Sequence, residues 1–211
     1  MIRVAFLPLY TEAWDSLAEV YERMSKDERF EVRVFTIKRK LTGDPDFHGQ
    51  QEAHDYLASK KVPNTMLGSV EELKAFAPDY TFINYPWQRN YQPGYRVEQL
   101  SEFTKVCYVP YYSLALVNEP GEVGVTPYLY TQRSNQLASL IFTQDPNTVE
   151  AYATTERGNR HVHLTGTPKI DALVDSVKNG SPRWPLADSG NRKMVWAPHH
   201  SFSESWFNFG M

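Results

Sequence analysis

A parallel α/β sheet with helices on both faces is the fold predicted for this chain of 211 residues, on three observations. Short apolar runs alternate with helix-period segments six times, the pattern of strand–helix–strand units. Three joints share one design, a capping residue followed by proline: Thr126-Pro127, Asp145-Pro146 and Thr167-Pro168. Proline costs nothing at the first helical position, where its missing N–H would have no partner anyway. Finally, 41% hydrophobic and 22% charged residues is the balance of a folded globular chain rather than a disordered one. Right-handed crossovers would place helices on both faces and a ligand beyond the C-terminal strand ends.

Ile2–Leu7 opens the chain as a strand. Thr11 is the expected N-cap of the first helix, whose apolar stripe is Trp14, Leu17, Ala18, Tyr21 and Met24. Phe30–Ile37 alternates apolar and charged residues, as a strand does with one face covered. Gln50–Lys60 reads as a helix, and Ser69-Val70-Glu71-Glu72 as a capping box opening a short helix to Ala77. Then come a strand at Tyr80–Tyr85, a helix at Arg96–Phe103 and strands at Lys105–Val109, Leu140–Thr143 and His161–Leu164. A helix begins at Pro168, with Ile170, Leu173, Val174 and Val177 as its expected buried stripe. Residues 1–179 are thus expected to form one domain. Residues 180–192, rich in glycine, proline and serine, read as a linker, and 193–211 as the start of a second unit whose first strand is Lys193–Ala197.

Several function classes fall away on composition. A net charge of −3 and a pI near 6.1 argue against a nucleic-acid binder, which would show a basic face. The single cysteine, Cys107, precludes an internal disulfide and lies in an apolar run that suits a buried thiol. The N-terminus does not fit a signal peptide, and no apolar run approaches the ~20 residues of a membrane span. A cytoplasmic protein is expected, with peripheral contact at the inner face of the plasma membrane left open.

No glycine-rich dinucleotide or phosphate-loop fingerprint, nucleophile elbow or zinc-protease motif is present. His161 and His163 share a strand face but have no third ligand nearby, so no metal is expected. His199 and His200, followed by Ser201, stand at the end of the last expected strand. There they are either ligand contacts or a plain polar turn. Gly166-Thr167-Pro168-Lys169 joins a strand to a helix. It reads foremost as a tight turn, although the helix N-terminus and Lys169 could receive an anion. Asn84, Tyr85 and Trp87 end one strand, and Pro110, Tyr111 and Tyr112 end the next. Together they could wall an aromatic cleft suited to a sugar or polyol, or simply cap the core.

Taken in order, the strand ending Asn84–Trp87, the run Tyr95–Tyr112, the Leu164–Leu173 turn and helix, and Val195–Ser201 resemble the CDP-glycerol glycerophosphotransferases. These are the enzymes that prime and polymerise teichoic acids. The Gly166–Asp171 turn and the strand into His199 also resemble the wider GT-B group, UDP-N-acetylglucosamine 2-epimerases included. The resemblance implies a Rossmann-like N-terminal domain followed by a nucleotide-binding half, with no cofactor. It implies a nucleotide-activated donor and a polyol-phosphate or glycan acceptor, free or lipid-linked. His199, His200, Ser201, Gly166 and Lys169 would contact the donor phosphates, and Asn84, Tyr85, Trp87, Tyr111 and Tyr112 the acceptor. The family's catalytic histidine falls where this chain reads Val109–Ser113, so no base is identified; because a GT-B cleft needs both halves, the 211 residues alone are expected to be inactive. Two further readings stand beside it: a non-catalytic Rossmann-like binding module and a UDP-sugar epimerase relative.

Overall fold

The computed structural model describes residues 1–41, 43–112, 128–180 and 190. It contains a seven-stranded, all-parallel sheet: β1 (Ile2–Phe6), β2 (Phe30–Thr36), β3 (Thr65–Met66), β4 (Tyr80–Ile83), β5 (Lys105–Tyr108), β6 (Leu140–Thr143) and β7 (Val162–Leu164). The spatial order is β3-β2-β1-β4-β5-β6-β7. The direction of winding therefore reverses between β1 and β4. Helices α1 (Ala18–Ser25), α2 (Gln50–Ser59), α3 (Val70–Phe76), α4 (Val97–Leu100), α5 (Arg133–Leu137), α6 (Pro146–Ala153) and α7 (Pro168–Asn179) occupy the connections and the end of the described chain. The expected α/β class is the observed one.

Because successive strand side chains point to opposite faces, each strand feeds two cores. Ala5 and Leu7 join Val106, Tyr108 and Ile141 in one, while Val4 and Phe6 join Phe82, Cys107 and Val109 in the other. Cys107 is 1% exposed, and burial pushes its thiol up to about 12. A disulfide-exchange reagent at about pH 8 should therefore leave the native chain unmodified and react fully once it is unfolded. Prompt reaction of the native chain would contradict this burial.

Four local expectations change. The first helix is broken: a 3-10 helix spans Thr11–Ser16, with Ala13 at φ −104°, ψ 34°, before α1 begins at Ala18. Ser16 Oγ donates to the Ala13 carbonyl at 2.8 Å, a local bond that competes with a continuous helix. Thr11 lies inside the 3-10 turn rather than capping it, although Trp14 and Leu17 are buried as their spacing predicts. At α3, Ser69 precedes the helix but its side chain makes no capping bond, whereas Asp145 caps α6 through the Thr148 N–H at 3.1 Å. Edge strand β3 has only two residues and no periodicity from which to read it.

The fourth change concerns α7. Ile170, Leu173, Val174 and Val177 are 38–68% exposed, so the expected stripe is not buried. The helix lies along the 3-10 helix and α1, and Lys169 Nζ fastens it to Asp15 at 3.2 Å. Among the described residues nothing covers its apolar side. The 3-10 helix Tyr128–Thr131 is described, but Thr126-Pro127, most of the linker, and the expected strand Lys193–Ala197 with residues up to 211 lie outside the described residues.

Candidate functional site

Strands β1, β4 and β5 run side by side and in one direction, so their C-terminal ends open onto one region. Each carries aromatic residues into it: Tyr10 after β1, Tyr85 and Trp87 after β4, Tyr111 and Tyr112 after β5. The Tyr85 and Tyr111 rings stack with centroids 5.4 Å apart. Tyr10 meets Tyr111 edge-on at 5.0 Å and Tyr85 at 5.8 Å. Trp87 lies 5.1 Å from Tyr85 and 6.4 Å from Tyr112, and Tyr111 and Tyr112 are 5.0 Å apart. All five side chains are half-buried. The result is a recess of five rings at the place where the strand order reverses. Tyr112 also borders a shallow depression at the ends of β5, β6 and β7, lined by Phe142, Thr143, Thr148 and Gly166 among others.

Four of the five acceptor-side residues expected from sequence line this recess. The fifth, Asn84, is fully buried and faces away from its surface. Its amide donates to the Tyr10 carbonyl at 3.0 Å and accepts from the Tyr10 N–H at 3.4 Å. Asn84 thus extends the β1–β4 ladder by one side chain and holds Tyr10 in place. Tyr10 itself went unrecognised in the sequence. The signal for it was positional, an aromatic residue just beyond the end of the central strand.

On the outer side of Tyr10, Arg39 Nη1 donates to Glu12 Oε2 at 2.6 Å and its second terminal nitrogen to the other carboxylate oxygen. Arg39 also donates to the Leu9 carbonyl at 3.3 Å, and its guanidinium lies 5.9 Å from the Tyr10 ring centroid. Hydrogen bonding from Arg39 holds the pKa of the Glu12 carboxyl below its ordinary value. The pair stays ionised at neutral pH and offers no spare cation to a ligand.

Burial raises the phenol of Tyr111, as does the nearby Tyr85, and burial also raises Tyr85 and Tyr112. A tyrosine could replace the family histidine as a base only if its environment lowered its pKa. Here the environment does the reverse. The Tyr85, Tyr111 and Tyr112 phenols remain protonated near neutral pH and act as hydrogen-bond donors beside apolar ring faces, chemistry suited to a neutral, hydroxyl-rich ligand.

The residues expected to meet the donor phosphates fare differently. The Gly166 N–H donates to the Thr143 carbonyl at 3.1 Å. Lys169 is held by Asp15. The Asp145 carboxylate occupies the N-terminus of α6, where it would repel an anion. His199, His200 and Ser201 lie outside the described residues. Nε2 of His161 meets the Asn135 carbonyl at 3.3 Å, while His163 lies against Phe142. No metal-ligating cluster occurs among the described residues.

Comparison with solved structures places this fold. A UDP-GlcNAc 2-epimerase from Neisseria meningitidis bound to UDP-GlcNAc matches 84% of this chain and 50% of its own, with TM-score 0.56 and 13% identity. The S. aureus MnaA–UDP co-structure matches 86% and 49%, with TM-score 0.52 and 14% identity. A further UDP-N-acetylglucosamine 2-epimerase matches 86% and 52%, with TM-score 0.54 and 14% identity. The chain has the Rossmann-like α/β fold of these GT-B-like proteins and spans about half the length of the structures it matches. No family model and no curated protein matches the sequence. No helix among the described residues is long and apolar enough to cross a membrane.

Proposed function

We propose that this chain supplies the Rossmann-like half of an enzyme acting on a nucleotide-activated sugar, and that its ring recess receives the sugar. The observation that carries this reading is the recess itself: five aromatic rings at the ends of β1, β4 and β5, with the Tyr85, Tyr111 and Tyr112 phenols protonated. The fold neighbours support it, because two of their structures hold UDP-GlcNAc or UDP. A UDP-sugar of the UDP-GlcNAc class is therefore favoured over CDP-glycerol. Transfer of glycerol phosphate onto a cell-envelope polymer precursor is the second reading, favoured by the ordered sequence resemblance. With the phenols protonated, the described recess holds no base. Its contribution is to bind and orient.

The test is a thermal-shift panel of UDP-GlcNAc, UDP, CDP-glycerol and glycerol 3-phosphate on the whole chain. Ligand at a hundred times its dissociation constant adds about 2.7 kcal/mol, or a rise of roughly 5–10 °C for a chain of this size. UDP-GlcNAc is expected to give the largest rise, and Trp87→Ala to abolish most of it. A larger rise with CDP-glycerol would hand the site to the second reading. No response to any of the four would sink both.

A further inference from the structure

Strand ends create a local problem. Where the ladder stops, main-chain carbonyls lose their partners, and a buried one must find another. Around the ring recess three such carbonyls are met by three fully buried side chains. Asn84 Nδ2 donates to the Tyr10 carbonyl at 3.0 Å. The Tyr91 hydroxyl donates to the Tyr85 carbonyl at 2.9 Å. Ser134 Oγ, from α5, donates to the Pro86 carbonyl at 2.9 Å. The exposures of Asn84, Tyr91 and Ser134 are all 0%. A fourth bond, from the Tyr111 N–H to the Asn84 carbonyl at 3.1 Å, ties in the segment after β5. Every segment that carries a ring of the recess is thus gripped from beneath.

We propose that Asn84, Tyr91 and Ser134 are positioning residues for the recess, setting the spacing of its rings so that it is formed before a ligand arrives. A preset aromatic surface suits a ligand with a stiff ring, a pyranose rather than a flexible linear polyol, because neither side then loses freedom on binding. The inference rests on the recess being the sugar site. It adds which residues shape the site and which ligand class that shape selects.

Tyr91→Phe and Ser134→Ala remove one donor each and leave the core volume nearly unchanged. Fluorine NMR of the fluorotryptophan-labelled chain reads the result. The Trp87 resonance is assigned by its loss in Trp87→Phe, and Trp14, buried in the opposite core, serves as the internal control. Both variants are expected to move or broaden Trp87 and leave Trp14 in place. Tyr91→Phe should also weaken the response of Trp87 to UDP-GlcNAc by roughly fivefold, the equivalent of one net hydrogen bond. An unmoved Trp87 in both variants overturns the inference, as does an equal disturbance of Trp87 and Trp14, which would mean general loosening. Unchanged affinity in Tyr91→Phe overturns it too. If the variants move Trp87 but UDP-GlcNAc fails to perturb it in the wild type, the positioning stands and the sugar-site reading falls.

Discussion

Raising the pH above about 10 is expected to unfold this chain steeply rather than gradually. Tyr91, Tyr108 and Tyr152 are at most 3% exposed, and burial holds all three phenols protonated well beyond their ordinary range. In the unfolded chain they ionise near pH 10. Folding therefore retains protons that the unfolded state releases. The stability from these groups is complete below about pH 10 and is lost as pH climbs towards the folded values. Each group contributes about 1.4 kcal/mol per pH unit, so the three remove about 4 kcal/mol for every unit above 10. Against a total stability of about 5–15 kcal/mol, the native state should fail within a few pH units. Circular dichroism and phenolate absorbance followed together provide the measurement. Tyr91, Tyr108 and Tyr152 should titrate only as the helical signal collapses. Tyr91→Phe should reduce the steepness by about a third of that slope. If every tyrosine ionised near pH 10 with the helical signal intact, the burial of these phenols would be refuted.

Phe6→Ala should cost about 3–5 kcal/mol, the range for truncating a buried aromatic. Phe6 is 0% exposed on β1, which is paired on both sides. Its ring stacks on Phe82 at 4.9 Å and meets Tyr21 and Trp14 edge-on at 5.8 and 6.3 Å. A central strand cannot move inward to close the cavity, so the surrounding rings would lose their contacts outright. Urea denaturation should show a much lower midpoint with an unchanged slope. Ile170→Ala is the matched control. Ile170 is 49% exposed on α7, and its truncation should stay within about 0.5 kcal/mol of wild type. A cost like that of Phe6 would show that the α7 stripe is covered after all.

The contrast between Phe6 and Ile170 also marks what can be read in a sequence. Both sit in apolar patterns of the expected period. Phe6 lies in a strand with apolar alternate residues on both faces, and only a sheet covered on both sides accommodates that. Ile170 belongs to a one-sided stripe, which says that a face is apolar but not that anything packs against it. The parallel sheet was legible for the first reason in Ile2–Phe6, Lys105–Tyr108 and Leu140–Thr143, and through the alternation of apolar and charged residues in Phe30–Thr36. Strand β3 was not, because its two residues are held by pairing with Phe35 and Thr36. At the recess, Tyr85, Trp87, Tyr111 and Tyr112 announced themselves as aromatics beyond strand ends. Tyr10 did not, since a helix was expected to begin beside it. Tyr91 and Ser134 could not have, because their partners are main-chain carbonyls that carry no side-chain signature. Asn84 was placed at the right spot and given the wrong orientation, a distinction that depends on what β1 offers beside it.

The pairing of Val4 with Tyr80 has a consequence for how the chain is made. Among the described strands the earliest in sequence is the middle of the sheet, and its partner on one side lies 76 residues downstream. At about 5–20 residues per second, a ribosome needs roughly 4–15 s to deliver that partner. Throughout that interval Val4 and Phe6 have half of their eventual sheet contacts at most, far longer than collapse takes in a chain of this size. Until Tyr80 arrives, β1 is therefore an apolar strand with an unsatisfied edge.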